Sequence, residues 1–345
     1  MRPTTSFLKA VKIILIVVIT STGLTSCGPS ARQNESTAKQ QKKEEVAVNV
    51  PVFKADSAYA FVAKQLSFGP RVPGSDAHLA CADWLSGKLS AYADTLYQQR
   101  FRTRVYDRRS FDGVNLIGSF NKAAKRRIVL AAHWDSRPYA DHDDNSDNHR
   151  TPIDGANDGA SGVGILIELA RLLAENPIDE KLGIDILLFD LEDYGPATQE
   201  RSKYSEDTWA LGSQYWANTP HIPGYQAQFG ILMDMVGGSN PIFPREYFSQ
   251  QYASWVLDKV WRKAFDLGYG SYFVNKPGSP ISDDHVPMNE VAGIPTINII
   301  HLDPNSVNGT FFEHWHTVGD NLDAIDKETL RIVGEVVTSV IYHEQ

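Results

Sequence analysis

A short apolar run that ends abruptly in acidic residues constrains the fold of this chain most. Leu187-Leu188-Phe189 is followed closely by the adjacent acids Glu192 and Asp193. Such a run is typical of a buried strand, which delivers the residues after it to the edge of a sheet. In open α/β sheets, ligands bind at the carboxyl edge of the strands. The pair Glu192–Asp193 is therefore predicted to lie at a ligand site.

Similar apolar runs recur along the chain and alternate with helical patterns. We predict strands at residues 114–118, 128–132, 184–189, 229–233 and 296–300. We predict helices at residues 58–66, 76–89 and 162–174, and a last helix that starts near the N-cap residue Asp326. Apolar strands that alternate with helices indicate a mostly parallel sheet covered on both faces. The predicted fold is a three-layer α/β/α sandwich.

Residues 1–27 are predicted to be a signal peptide that is not part of the fold. Basic residues precede the apolar stretch 13–19, which is shorter than the ~20 residues of a membrane span. Leu24-Thr25-Ser26-Cys27 resembles the lipobox of bacterial lipoproteins, although an ordinary signal peptide with a chance cysteine is the alternative. The resemblance implies lipidation of Cys27. We expect attachment to the outer membrane of a Gram-negative cell, facing the periplasm, with the surface orientation left open.

The rest of the chain is predicted to contain a tether and one domain. Residues 28–50 are polar and lack aromatic side chains, as in a flexible linker, and residues 51–345 read as a single catalytic domain. The net charge is −9 without a dense basic patch, so we expect no binding to nucleic acid and membrane contact only through the lipid. Cys81 has no second cysteine in this domain, which excludes a disulfide framework there. We expect a monomer.

Several predicted strands and one predicted helix are bordered by potential metal ligands. His133 and Asp234 each follow a strand, Asp158 precedes the buried helix, and His316 lies in a late loop. Imidazole and carboxylate groups are the ligands expected for zinc, and three protein ligands with one open position form a catalytic site. A single Asp or His is more often a turn former or a structural residue. The joint pattern favours a metal site.

Four motifs together resemble the zinc-dependent aminopeptidases and, equally, their relatives the glutaminyl cyclases. They are His133-Trp134-Asp135-Ser136, the glycine-rich segment 155–162, Glu192-Asp193 and Asp234. The resemblance runs from about Ser57 to the C-terminus and implies a zinc exopeptidase-like fold. It implies one zinc per chain, bound by Asp158, Asp193 and His316, with Glu192 as the general base. Many relatives carry Glu at the position of Asp193, so the strand must bring this shorter carboxylate closer to the metal.

The resemblance leaves a hydrolase and a cyclase as alternatives. In the dizinc aminopeptidases, a second metal is held at the positions that match His133, Asp158 and Asp234, and all three residue types are present here. Asp283 lies in a segment that resembles a cyclase motif, in which this acid joins a hydrogen-bond network with Asp234 and Glu192. Asp234 and Asp283 are then catalytic residues beside Glu192. This motif favours the cyclase.

Aromatic residues near His316 also favour the cyclase. Trp315 and Phe311 resemble the lining of the cyclase pocket, and we assign them with Trp209 to substrate binding; loop packing is the alternative for Phe311. The acidic segment 141–147 is interpreted as a solvated loop beside the site, with calcium binding as the alternative.

We therefore expect a zinc-dependent glutaminyl-peptide cyclotransferase. It would convert the N-terminal Gln of peptides and exported proteins to pyroglutamate and release ammonia. A dizinc aminopeptidase is the first alternative. A non-catalytic envelope binding module on the same fold is the second.

Overall fold

The computed structural model describes residues 48–204 and 208–345 of the 345-residue chain. Residues from Ala47 to Gln345 are grouped in one compact unit. The predictions of a signal peptide and of lipidation at Cys27 lie outside the described residues, as does most of the predicted tether. Within residues 48–204 and 208–345, no helix combines the length and the apolar character that a membrane span requires.

Helices and strands alternate along the described chain. The helices are α1 (Ala55–Leu66), α2 (Asp76–Tyr92), α3 (Ala160–Glu175), α4 (Leu211–Asn218), α5 (Tyr247–Asp266), α6 (His285–Glu290) and α7 (Lys327–Tyr342). The strands are β1 (Thr95–Arg104), β2 (Ser110–Phe120), β3 (Arg126–His133), β4 (Leu182–Phe189), β5 (Phe229–Asp234), β6 (Phe243–Arg245), β7 (Phe273–Pro277) and β8 (Thr296–Ile300).

Six strands form the central sheet in the order β1-β2-β4-β3-β5-β8. The pairs β4–β3, β3–β5 and β5–β8 are parallel, whereas β1–β2 and β2–β4 are antiparallel. Register places His133 opposite Phe189 and Asp234 opposite Ile300. The carboxyl ends of β3, β4, β5 and β8 therefore meet at one edge, and the prediction of a mostly parallel sheet is confirmed.

Neighbouring side chains on each strand point to opposite faces of the sheet. Because the side chains on both faces are apolar, helices cover both faces. From β3, Ile128 and Leu130 pack into a large core with residues of α1, α2, α3, α5 and α7. Val129 of the same strand packs into a second core with Trp216 of α4 and Met288 of α6. The arrangement has the helix–sheet–helix layers that the sequence predicts. Cys81 is a fully buried free thiol of α2.

Each strand and helix predicted from the sequence is present, with somewhat different ends. The additional elements are β1, α4, α5, β6, β7 and α6. In β1, most side chains are at least partly exposed, so the strand lacks the continuous apolar run of its neighbours. In α5, Ala253 departs from helical geometry (φ −139°, ψ 39°), and Tyr252 and Trp255 are exposed aromatic residues that blur the amphipathic pattern.

Two helical glycines provide a matched test of this packing. A Cβ added at Gly162 of α3 would lie 2.2 Å from the Met233 carbonyl oxygen, whereas one added at Gly87 of α2 meets nothing within 4 Å. We predict that Gly162→Ala lowers the free energy of unfolding by about 1–3 kcal/mol through overpacking. Gly87→Ala should raise it by about 0.5–1 kcal/mol because alanine favours the helix. Urea denaturation measures both; equal shifts in the two variants would contradict the close contact of α3 with β5.

Candidate active site

The carboxyl edge of the sheet brings two predicted site residues into contact. His133 ends β3 and Asp234 ends β5, two strands that pair in parallel. His133 Nε2 lies 3.3 Å from Asp234 Oδ1 and 3.1 Å from Asp158 Oδ1. All three side chains are buried. This is the set of residues that the sequence predicts for a second metal in a peptidase.

Asp158 is positioned by the turn that precedes α3. The backbone N–H groups of Asn157 and Asp158 donate to the two carboxylate oxygens of Asp320, at 2.7 and 3.1 Å. Gly159 follows with φ +95°, and a Cβ there would lie 2.7 Å from the Asp135 carbonyl oxygen. The turn therefore requires glycine at this position. It aims the Asp158 carboxylate at the ends of the strands.

The predicted ligands Asp158, Asp193 and His316 also come together. His316 Nε2 lies 3.4 Å from Asp193 Oδ1 and 3.7 Å from Asp158 Oδ2. One donor atom from each of the three residues lies within 4.8 Å of the others, and all three side chains are buried. Asp158 thus offers one oxygen to His133 and the other to His316.

The chemistry of this triad fits a zinc ion. One imidazole and two carboxylates form a hard and borderline donor set that zinc accepts. Asp193 Oδ2 is buried and has no hydrogen-bond partner among the described residues. A buried carboxylate oxygen without a partner is costly unless a cation lies beside it. Asp158, Asp193 and His316 are therefore able to hold a metal in this position.

The turn after β4 presents Glu192 and Asp193 to the site. The backbone N–H groups of Glu192 and Asp193 donate to the two oxygens of Asp135, at 3.1 and 3.2 Å. Asp135 Oδ1 also lies 3.5 Å from His133 Nδ1. Leu191, immediately before the pair, has φ +57°, which is a strained conformation for a leucine. Asp135 thus couples the positions of the acid pair and of His133.

A buried arginine supports the triad from outside. Arg137 Nη1 lies 3.2 Å from Asp193 Oδ1, while Arg137 Nε and Nη2 each donate to Asp141 at 2.7 Å. Asp141 Oδ1 in turn lies 3.3 Å from His316 Nδ1. Because Arg137 donates to it, the pKa of Asp141 lies well below its ordinary value even though burial acts to raise it. The carboxylate is therefore held ionised beside the His316 ring.

The interpretation of residues 141–147 as a solvated loop is wrong at its first residue. Asp141 is only 3% exposed and belongs to the support of His316. The physical reason is its paired hydrogen bonds with Arg137, a residue to which the sequence pattern assigned no role. Further along, Asp143 accepts hydrogen bonds from the backbone of Asn145 and Val318, which ties the loop to the segment after His316.

Burial and mutual repulsion raise the pKa values of the acids at the centre. Burial raises the pKa of Glu192 well above its ordinary value. The charge of His133 lowers this pKa, whereas the charges of Asp193 and Asp283 raise it further. Burial likewise raises the pKa of Asp234 to about 7, with added repulsion from Asp283 and Asp158. A carboxyl group with a raised pKa is suited to exchange protons near neutral pH.

Asp283 lies in the same buried group of acids. Its Oδ2 accepts a hydrogen bond of 2.6 Å from Asn298 Nδ2, and its Oδ1 accepts one of 2.5 Å from the Asp284 backbone. Asn298 is on β8, next to the strand that ends in Asp234. Burial raises the pKa of Asp283. The structure therefore places Asp283 on the side of the site where Asp234 and Glu192 lie.

The three predicted aromatic residues converge on His316. The Trp315 and His316 rings stack with centroids 3.8 Å apart, and the Trp209 ring lies 6.3 Å from His316 and nearly parallel to it. Phe311 packs on Trp315 at 4.5 Å. All three aromatic side chains are partly exposed, and Phe311 and Trp315 also pack against a small core cluster, so they form a wall beside His316.

Several positioning residues have no role in the sequence analysis, namely Asp135, Arg137, Asp141, Asn298 and Asp320. Apart from the mutual contact of Arg137 and Asp141, their partners are backbone N–H groups or side chains distant in sequence, which no local pattern reveals. Asp135 alone carries a signal, since it lies in a motif that already resembles the family.

Comparison with protein families identifies the fold and its relatives. The model of peptidase family M28 matches residues 115–341, which include all the strand ends described above. Among solved structures, a glutaminyl cyclase from Bacteroides thetaiotaomicron is 48% identical in sequence. It superposes with a TM-score of 0.83 over 86% of this chain and 100% of that one.

Two further relatives represent the two activities under discussion. A Zn-dependent exopeptidase from Parabacteroides distasonis is 48% identical, with a TM-score of 0.83 over 85% of this chain and 99% of that one. A glutaminyl-peptide cyclotransferase from Gloydius blomhoffii is 30% identical over 297 residues, which cover 77% of this chain and 75% of the relative. This chain therefore belongs to peptidase family M28 and is a homologue of the glutaminyl-peptide cyclotransferases.

Proposed function

We propose that the protein is a glutaminyl-peptide cyclotransferase, acting on peptides and exported proteins that begin with Gln. The observation that carries the proposal is the buried Asp283, which Asn298 holds in the acid group of Asp234 and Glu192. Repulsion from Asp283 favours a shared proton on these acids. Two neighbouring carboxyl groups that share a proton can orient the substrate amine.

One zinc per chain is proposed, held by Asp158, Asp193 and His316. When bound, this zinc supplies a Lewis acid that polarises the side-chain amide of the substrate glutamine. Arg137 and Asp141 keep Asp193 and His316 in place on the outer side. The buried, unpartnered oxygen of Asp193 supports the assignment.

The reaction is an intramolecular acyl transfer. The α-amine nitrogen of the glutamine forms a bond to its own side-chain amide carbon, and the bond from that carbon to the amide nitrogen breaks. Glu192 takes a proton from the attacking amine and delivers it to the leaving nitrogen, which departs as ammonia. No water is consumed. The raised pKa of Glu192 suits a group that must both accept and return a proton.

The remaining residues hold the substrate in its reactive shape. Asp234 and Asp283 share a proton and accept hydrogen bonds from the substrate amine. Trp315, Phe311 and Trp209 supply the apolar wall against which the compact glutamine conformer packs. Holding the amine near the amide carbon keeps the substrate in the conformer from which this intramolecular step proceeds.

The dizinc aminopeptidase is the second candidate, because a specific observation favours it. His133, Asp158 and Asp234 place donor atoms within 4.8 Å of one another, and Asp158 is shared with the first triad. A bridging carboxylate between two triads suits a pair of metals. The count of zinc ions therefore distinguishes the two activities. A non-catalytic binding module is the third candidate, against which the intact Glu192 argues.

A direct assay with metal analysis tests the proposed function. We predict that the purified protein contains about one zinc per chain and releases ammonia from peptides that begin with Gln. It should release no free amino acid from peptides with other N-termini. Two zinc ions together with release of amino acids would establish the aminopeptidase instead. Zinc binding without either reaction would support the non-catalytic binding module.

Variants at two nearby histidines are the matched control for the zinc assignment. His316→Ala removes a buried predicted ligand, whereas His314→Ala removes a side chain that is 42% exposed in the same loop. After dialysis against a chelator, His316→Ala should lose zinc much faster than His314→Ala. Equal zinc retention would show that His316 is not a ligand.

Glu192 is tested by an isosteric variant. We predict that Glu192→Gln keeps the fold and the zinc but lowers kcat by about 10²–10⁴-fold, because the amide cannot transfer the proton. Glu180→Gln, at an exposed acid outside the site, is the control and should retain the full rate. Circular dichroism and zinc content establish that the variant is intact. Full activity of Glu192→Gln would exclude Glu192 as the base.

We propose that the chain is exported and lipidated at Cys27, with residues 28–50 as a tether and residues 51–345 as the catalytic domain. We propose that the lipid attaches the protein to the outer membrane of a Gram-negative cell and that the protein faces the periplasm. The domain is proposed to be a monomer. The Leu-Thr-Ser-Cys segment supports lipidation.

The lipid anchor has a simple test. We predict that Cys27→Ser moves the protein from the membrane fraction to the soluble fraction, because the chain then lacks the thiol that carries the lipid. Fractionation followed by immunoblotting measures the change, and Cys81→Ser is the control for loss of a thiol as such. A Cys27→Ser protein that stays in the membrane fraction would contradict lipidation.

A further inference from the structure

A buried histidine on α2 contacts both strand ends that carry the site. His78 and Asp190 are 1% and 0% exposed, and His78 Nε2 lies 2.8 Å from Asp190 Oδ1. The His78 ring also stacks on Trp134, with centroids 4.4 Å apart and planes 20° apart. Trp134 follows His133, and Asp190 precedes Glu192 by two residues. None of the steps proposed above uses this histidine.

Asp190 holds the strained turn that leads to Glu192. Its Oδ1 accepts a hydrogen bond of 2.8 Å from the Leu191 backbone, and its Oδ2 accepts one of 2.7 Å from the Val114 backbone. Leu191 has φ +57°, a conformation that persists only where the surroundings hold it. Asp190 therefore restrains the turn before the acid pair, as Asp135 restrains it afterwards.

Trp134 links the same histidine to the other strand. Its indole Nε1 donates to the Val114 carbonyl oxygen at 3.2 Å, while the Val114 N–H donates to Asp190. His78, Trp134, Val114 and Asp190 thus form a closed set of contacts beneath the site. Removal of the His78 donor would leave a buried acid with one partner fewer, which is costly where no water enters.

We propose that His78 is a positioning residue, which acts through Asp190 and Trp134 to fix the turn that aims Glu192 at the substrate amine. It does not touch the substrate or the metal ligands. The inference rests on the proposed role of Glu192 in the cyclase reaction. A base displaced by about 1 Å loses about 10²-fold in rate, so loss of the restraint should be visible in kcat.

Two substitutions separate the hydrogen bond from the stacking contact. His78→Phe keeps an aromatic ring against Trp134 but has no N–H for Asp190. His78→Gln has an amide N–H able to reach Asp190 but no ring. We expect His78→Phe to lower kcat about 10- to 100-fold with KM changed less than about 3-fold and zinc content unchanged. His78→Gln should recover most of the rate.

A second histidine provides the matched control. His221 stacks on Trp216 and accepts a hydrogen bond from its indole N–H at 3.1 Å, away from the carboxyl edge. His221→Phe should change the melting temperature but not kcat. If His78→Phe also changes only the melting temperature, His78 has a structural role alone and the proposal is wrong.

A double variant decides whether His78 acts through Glu192. In the Glu192→Gln background, His78→Phe should cost less than about 3-fold in kcat, because the group that it positions no longer acts. The full 10- to 100-fold loss in both backgrounds would overturn the proposal. If the unaltered protein releases no ammonia from Gln peptides, the cyclase function itself fails. A normal rate in His78→Phe, with an active parent, refutes only the positioning role.

Discussion

The rest of the site depends on one constraint, which is the burial of many carboxyl groups close to one another. The buried acids in and around the site are Asp135, Asp141, Asp158, Asp190, Glu192, Asp193, Asp234, Asp283, Asp284 and Asp320. So many carboxyl groups persist without water only if cations, N–H donors or shared protons compensate each of them. Backbone amides compensate Asp135 and Asp320, and Arg137 compensates Asp193 in part. The imidazole rings of His133 and His316 lie beside the central carboxylates. The buried Oδ2 of Asp193 has no hydrogen-bond partner among the described residues and is available to bind a metal.

The sequence predicted the parts of the structure that local patterns encode. Continuous apolar strands and the buried α3 were recognisable because they are covered on both sides, and the acids after β4 and β5 followed from the parallel topology. The edge strand β1 and helix α5 were not recognisable from the sequence. Partial exposure of β1 and the irregular backbone at Ala253 in α5 weaken the hydrophobic periodicity of these elements. Arg137 and Asp141 escaped notice for another reason: what they do is defined by Asp193 and His316, which only the folded chain brings near.

The same framework serves hydrolysis or cyclisation with small changes in the surroundings. Both triads are present, so the ligands alone do not choose between one metal and two. Asp283 and Asn298 add an acid and an amide near Asp234, and we propose that they favour cyclisation. In the proposed mechanism, the aromatic wall beside His316 packs against the compact substrate. In the proposed mechanism, specificity for cyclisation comes from residues around the metal site rather than from the metal ligands.

The free thiol of Cys81 lies in α2 one turn after His78, deep in the main core. Burial raises its pKa to about 11. Thiolates, not thiols, react with oxidants, disulfides and soft metals. At neutral pH, Cys81 is therefore a neutral, unreactive thiol, and it is the only cysteine in the described part of the chain. In the proposed exported enzyme, this thiol resists oxidation and leaves the zinc to the imidazole and carboxylate ligands.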